Sequence, residues 1–144
     1  IDAGIKVEAR GSGWDHGRID FIENNRFFNE CKIILGIGTV GHCKDFYTLK
    51  LRDFDAPMSG GLYVTHSNAD LKALFVDDHE MIFCNNKQDF ICNISELLSN
   101  DKKRTQIAES GHRKAIELHT YEKRFSELFS LLLSDLRGGK AGRI

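Results

Sequence analysis

An α/β fold built on a parallel sheet is what this sequence predicts, and three observations predict it. Short β-prone apolar runs alternate with stretches of helical spacing from residue 5 to residue 84. Two of those runs, KIILGI and LYVT, are nearly continuous in apolar residues, as parallel strands covered on both faces are. From Lys87 onward the alternation stops and only helical periodicity remains. The predicted order is four strands alternating with helices, joined by right-handed crossovers, and then a helical C-terminal part.

Taken in order, Ile5 to Ala9 alternates apolar and charged residues and is predicted as the first strand, ending at the turn Arg10-Gly11-Ser12-Gly13-Trp14. In an open α/β sheet, ligands approach the carboxyl ends of strands. A glycine-rich turn there lets backbone come close to a ligand, so Gly13 and Trp14 are candidate contacts, with Trp14 as a lid on the core the alternative. A helix follows from about Asp20, its N-cap, to Glu30, with Phe21, Phe28 and Cys31 inward. Lys32 to Ile37 is the second strand. The stretch Gly38 to Thr48 has no periodicity and reads as a loop on the ligand side.

The central unit is Tyr47 to Thr65, YTLKLRDFDAPMSGGLYVT. Leu51, Phe54 and Met58 recur at i, i+3, i+7, which predicts an amphipathic helix from Leu49 to Met58, kinked near Phe54 by Pro57. Gly60 and Gly61 end it, because glycine tolerates the left-handed cap conformation, and Leu62 to Thr65 is the third strand. Arg52 and Asp55 are neighbours on a polar edge of that helix, and Thr48 and Lys50 sit where it begins. Free backbone N–H groups at such a helix start favour a phosphate, so the unit reads as half of a nucleotide site.

Beyond it, Ser67 or Asn68 caps a short helix from Ala69 to Phe75 with Leu71 and Leu74 inward. Asp77-Asp78-His79-Glu80 reads as a solvated connection, and Met81 to Cys84 as the fourth strand. Asp89 to Leu98, Asp101 to His119 and Tyr121 to Leu136 are helices, the last two packing across a flank of the sheet. His119 and Thr120 read as C-cap and N-cap of successive helices rather than as catalytic groups.

Composition bounds the partners. The 144 residues suffice for one domain with a core, and 20 Lys plus Arg against 21 Asp plus Glu give a net charge of −1. No dense basic patch is present, which argues against nucleic acid or a membrane surface as partner. No apolar run approaches the ~20 residues of a membrane span. Cys31, Cys43, Cys84 and Cys92 lack CxxC spacing and read as reduced, mostly buried thiols in place of a zinc site at His42 and Cys43.

FDAPMSGGLYVT resembles the F-E-A-x-A-C-G-A-x-x-x-T stretch in the second domain of GT-B glycosyltransferases, in the spore-maturation-type branch related to the group 1 glycosyltransferases. VEARGSGW is similar to that branch's strand and G-x-G-W turn, and FFNECKIILGIG to its helix and next strand. IAESGHRKAIELHTYEKRFSEL is similar to its closing I-A-x-x-G and H-T-Y-x-x-R pattern. The likeness runs from about residue 4 to residue 133. It implies a Rossmann-like sheet with a C-terminal helical pair, one half of a GT-B fold, spanning 1–137, with 138–144 a disordered tail.

It also implies that the chain is an N-terminally truncated piece, whose partner is the family's N-terminal domain and which transfers nothing by itself; the family's final helix reaches toward that domain, so Phe125, Phe129 and Leu132 are expected to be partly exposed here. The donor would be a nucleotide sugar, UDP-linked, bound as substrate with no cofactor or metal, in a cytoplasmic protein. Asp55 would receive the ribose hydroxyls, Arg52 or Lys50 the diphosphate, with Thr48, Gly60 and Gly61 in support. Two departures qualify the likeness. Tyr47 stands where the wider superfamily has the first of two glutamates eight apart, and Asp55 is one methylene shorter than the second. The alternatives are therefore a degenerate domain serving as an interaction module, and an Asp55 that merely pairs with Arg52 on the helix surface.

Overall fold

A computed structural model describes residues 4–41, 43 and 46–138. Among them, three parallel strands form one sheet in sequence order: β1 (Ile33–Leu35), β2 (Leu62–His66) and β3 (Ile82–Cys84). Ile34 stands beside Tyr63 and Leu35 beside Val64, while Val64 pairs with Ile82 and His66 with Cys84. Parallel pairing demands crossovers, and helices supply them. α1 (Phe21–Glu30) precedes β1, α2 (Arg52–Met58) links β1 to β2, and α3 (Ala69–Lys72) links β2 to β3. The chain ends in α4 (Lys87–Ser99), α5 (Asp101–Leu118) and α6 (Tyr121–Gly138).

Alternation along the strands sorts the core into two layers. Ile34, Tyr63 and Phe83 face one way and pack with Ala56, Leu71, Phe75 and Ala115. Leu62, Val64, Ile82 and Cys84 face the other and meet Ile94 and Leu97 of α4 and Ile107 of α5. α5 thus serves both layers, and Gly111, midway between Ile107 and Ala115, is where it passes closest. A Cβ there would lie 2.0 Å from the Glu80 carbonyl oxygen.

Caps follow the residue chemistry. Asp20, Asn68, Asn86 and Asn100 each accept from a backbone N–H in the first turn that follows, and His119 closes α5 through its own N–H to the Ala115 carbonyl. Thr120 then accepts from Lys123 N at 3.3 Å to start α6. Asp77 Oδ1 accepts from Phe83 N, so the acidic connection before β3 also ties down that strand.

Several expectations are corrected. Residues 5–9 form no strand: Glu8 pairs with Arg10, and Ile5 packs on the Ile33 and Phe90 side of the core instead of joining the edge of β1. Without that neighbour β1 is an outer strand of three residues with Leu35 exposed, not a strand covered on both faces. Phe21 is 90% exposed although it shares a helical face with Phe28, because α1 reaches the core only through Phe28 near its last turn. Cys31 is half-buried there, Cys84 is buried, and Cys43 and Cys92 are exposed; all four are free thiols. α5 lies on the sheet as expected, but α6 does not. Past Arg124 its described side chains are exposed, and for Phe125, Phe129 and Leu132 this is the exposure expected of them. α6 runs through Gly138, so the expected tail reduces to 139–144, which lie outside the described residues, as does His42.

Candidate functional site

α2 leaves the loop that follows β1 and returns the chain to the start of β2, so its N-terminal turn stands at the carboxyl ends of the strands. The local sequence positions that turn by burying an acid. Asp53 is 2% exposed, and one carboxylate oxygen accepts from the Tyr63 hydroxyl at 2.6 Å while the other accepts from Lys50 N at 2.7 Å. Burial, then the Asp53 bond and charge, raise the Tyr63 phenol well above its ordinary value, so it remains a donor. Gly36, at the end of β1, leaves room for this pair, since a Cβ there would lie 2.0 Å from the Tyr63 hydroxyl oxygen.

This anchor rotates α2 away from the expected face. Its buried positions are Asp53, Ala56 and Pro57, with Phe54 and Met58 half-buried, whereas Leu51 is 66% exposed. The helix begins at Arg52 rather than at Leu49, and Leu49 packs on the core from the preceding loop. Pro57 lies in the last turn, and its carbonyl meets His112 Nδ1 at 3.0 Å, tying α2 to α5.

The same geometry reassigns the expected backbone donors. Lys50 N is held by Asp53, while Asp53 N and Phe54 N are bonded to the Lys50 and Leu51 carbonyls. Leu51 N and Arg52 N have no hydrogen bond among the described residues, so an anion at this turn would meet these two amides together with side-chain cations. Arg52 is exposed at the first helical position, Lys50 is half-buried, and Asp55 is exposed one turn on, its carboxyl raised by partial desolvation. Among the described residues, no ion pair joins Arg52 to Asp55. Thr48 is half-buried, with its N–H bonded to Gly38 and its hydroxyl to the Leu49 carbonyl. Thr48 and Lys50 thus precede the first turn of α2, Arg52 begins it, and Asp55 stands at the middle of its seven residues.

The remaining candidates belong to the far end of α2 and to the turn around Gly13. Gly60 and Gly61 follow the other end of α2, a seven-residue helix and so about 10 Å away. Gly60 has φ +86 with open space around it, the left-handed cap conformation. Gly61 is buried, and a Cβ there would lie 2.4 Å from Ile34 Cδ1. Gly13 has φ +87 in a turn closed by the 2.7 Å bond from Gly11 N to the Gly17 carbonyl. Trp14 beside it is 61% exposed and is no lid on the core. No hydrogen bond among the described residues joins that turn to residues 48–55.

Two residues at this end of the sheet escape a reading by periodicity. Asp53 is one, and its only signal is a second acid two positions before Asp55. The other is His66, the last residue of β2, whose ring lies 4.9 Å from Phe90 edge-on and 5.3 Å from Tyr47. Its Nδ1 is buried without a hydrogen bond, and desolvation pushes its pKa down. His66 also lines a cavity of about 490 Å³ on the α4 side of the sheet.

A family model described as glycosyl transferase-like matches residues 2–130. No curated protein and no solved structure matches the chain.

Proposed function

The chain belongs to the glycosyl transferase-like family, and we propose that it supplies the nucleotide-sugar-binding half of an enzyme that transfers a sugar to an acceptor. The observation that supports this reading is the first turn of α2 at the strand termini, held by Asp53 and Tyr63, with Thr48 and Lys50 just before it, Arg52 exposed at its start and Asp55 exposed one turn on. Asp55 accepts the ribose hydroxyls. Arg52 and Lys50 face the diphosphate, where negative charge grows as the sugar departs, and preplaced cations there lower the barrier. Gly60 and Gly61 follow the C-terminal end of α2 and support the donor from there, and Gly13 and Trp14 remain further candidate contacts.

On this proposal the nucleotide is UDP, the protein works in the cytoplasm, and a preceding N-terminal domain of the spore-maturation branch brings the acceptor and any general base. None of the described helices is long and apolar enough to cross a membrane. A second reading, a degenerate module that binds no donor, draws on one observation. Tyr47 occupies the position eight before Asp55, and its ring packs against His66.

Nucleotide affinity separates the two. In a thermal-shift and calorimetric titration with UDP, GDP, ADP and UMP, one diphosphate at ten times its dissociation constant stabilises the chain by about 1.4 kcal/mol, a shift of several degrees. Asp55→Ala abolishes it. If every nucleotide fails to bind at millimolar concentration, either the preceding domain is required or the module is degenerate, and the same titration on the full-length protein decides between them.

A further inference from the structure

The cavity beside His66 lies on the sheet face opposite α2. Leu35 and Ile37 line it from the end of β1, and Phe90, Ile91 and Ile94 line it from α4, with Ile5 and Val7 completing the apolar wall. Its volume, about 490 Å³, falls in the range of small-molecule sites, roughly 300–1,000 Å³. The chemistry of the lining selects among ligands. A nucleobase or sugar needs several convergent donors and acceptors. Among the side chains that line this cavity only His66 and Lys87 are polar, and Gly36 N is already bonded to the Val64 carbonyl at 2.9 Å.

Of the lining residues only His66 and Lys87 are ionisable. His66 is wedged between the Tyr47 and Phe90 rings and partly desolvated, which favours a neutral imidazole. Lys87, the first residue of α4, is exposed and makes no ion pair among the described residues. Asp89 in the same turn accepts from Asn85 N and does not line the cavity. Among its described lining residues the cavity therefore combines a long apolar wall with a single cation.

We propose that this cavity binds an anionic amphiphile, a flexible alkyl or acyl chain lying along Leu35, Ile37, Phe90 and Ile94 with its phosphate or carboxylate head at Lys87. The proposal rests on the cavity alone and stands whether or not α2 holds a nucleotide.

A chain-length series tests it. The 144-residue chain is titrated calorimetrically with hexyl, octyl and decyl phosphate below their micelle concentrations, and with decanoate, decyl glucoside and decyltrimethylammonium. Affinity is expected to rise by roughly fourfold for each added methylene, the factor for moving one CH₂ out of water. Decyl phosphate or decanoate binds at least tenfold more tightly than the neutral and cationic compounds, and whichever is tighter identifies the head group.

Lys87→Glu removes that preference while leaving the slope with chain length. Ile37→Trp adds bulk at an exposed lining position that folding tolerates, and abolishes binding of the long chains. Backbone amide shifts on adding decyl phosphate centre on Gly36 and Phe90. Affinity independent of chain length overturns the proposal, as does undiminished binding in Ile37→Trp. So does a sedimentation result showing the cavity closed by a second copy of the chain.

Discussion

The Tyr63 hydroxyl donates a 2.6 Å hydrogen bond to the buried carboxylate of Asp53, joining the middle strand of the sheet to the first turn of α2. The bond decides which face of α2 is buried, and hence which side chains reach the strand termini. Tyr63→Phe leaves Asp53 with Lys50 N as its remaining partner. Because bonds to charged groups contribute about 1.5–3 kcal/mol, the variant should lose about 2 kcal/mol in urea unfolding. Asp53→Ala strands both the phenol and Lys50 N and should cost more. Asp53→Ala should also loosen the turn carrying Lys50 and Arg52, so on the donor proposal its nucleotide affinity falls even though Asp53 touches no ligand.

Gly111→Ala is expected to be the most damaging single methyl in the chain. Its Cβ would meet the Glu80 backbone at 2.0 Å, and backbone on both sides cannot yield as a side chain can. Overpacking of this kind costs about 3 kcal/mol or more, a fall in Tm of roughly 6–12 °C. Gly61→Ala meets the tip of the Ile34 side chain instead, which can swing, and should cost about 1–2 kcal/mol. Parallel thermal melts of the two variants check the order.

Stability should fall as the pH drops below about 6.5. Burial pushes the His119 pKa down, with Arg124 and Lys114 acting the same way and the Leu74 carbonyl and Glu80 opposing; His66 is lowered by burial too. A folded state that resists protonation loses ground wherever the unfolded chain takes up protons. The full contribution is therefore present above the ordinary value of 6.5 and is lost as pH falls from there through the lower folded values. The urea midpoint should decline from pH 7 to pH 5, and His119→Phe, which keeps a ring near Phe54 and Phe75, should flatten the decline.

Arg124 should control how firmly α6 is held. Its guanidinium lies 4.3 Å from the centre of the Phe54 ring, with Nη2 3.5 Å from His119 Nδ1, and the described α6 side chains beyond it are exposed. Arg124→Ala should cost only about 1 kcal/mol globally but should sharply raise amide exchange along α6. Arg124→Lys should behave nearly the same, because an ammonium lacks the planar face that stacks on Phe54.

Much of the fold was legible in the residues. The runs IIL, LYVTH and IFC, the caps Asp20, Asn68 and His119, and the change to all-helical periodicity after β3 each announce an element through local chemistry. What misled was periodicity without a partner. Ile5 to Ala9 alternates like a strand, but a strand exists only where a neighbour accepts its hydrogen bonds, and Ile5 found an apolar contact on the other layer first. Leu51 has the spacing of a buried residue, yet an acid two positions later held the inward place. The candidate turn was visible as Thr48, Lys50, Arg52 and Asp55, whereas Asp53 and His66 were not, because nothing local distinguishes a buried polar residue from a solvated one.

By itself the sequence determined the order and type of the elements from α1 onward and the glycosyl transferase-like membership, since spacing, caps and motif order are properties of neighbours along the chain. Only the tertiary structure decided which face of α2 turns inward, that α6 stands off the sheet, and that Leu35, His66 and Phe90 enclose a cavity. Each of those depends on groups tens of residues apart meeting in space. The energy of such a meeting, a desolvated hydrogen bond or a packed ring, appears in no window of the sequence.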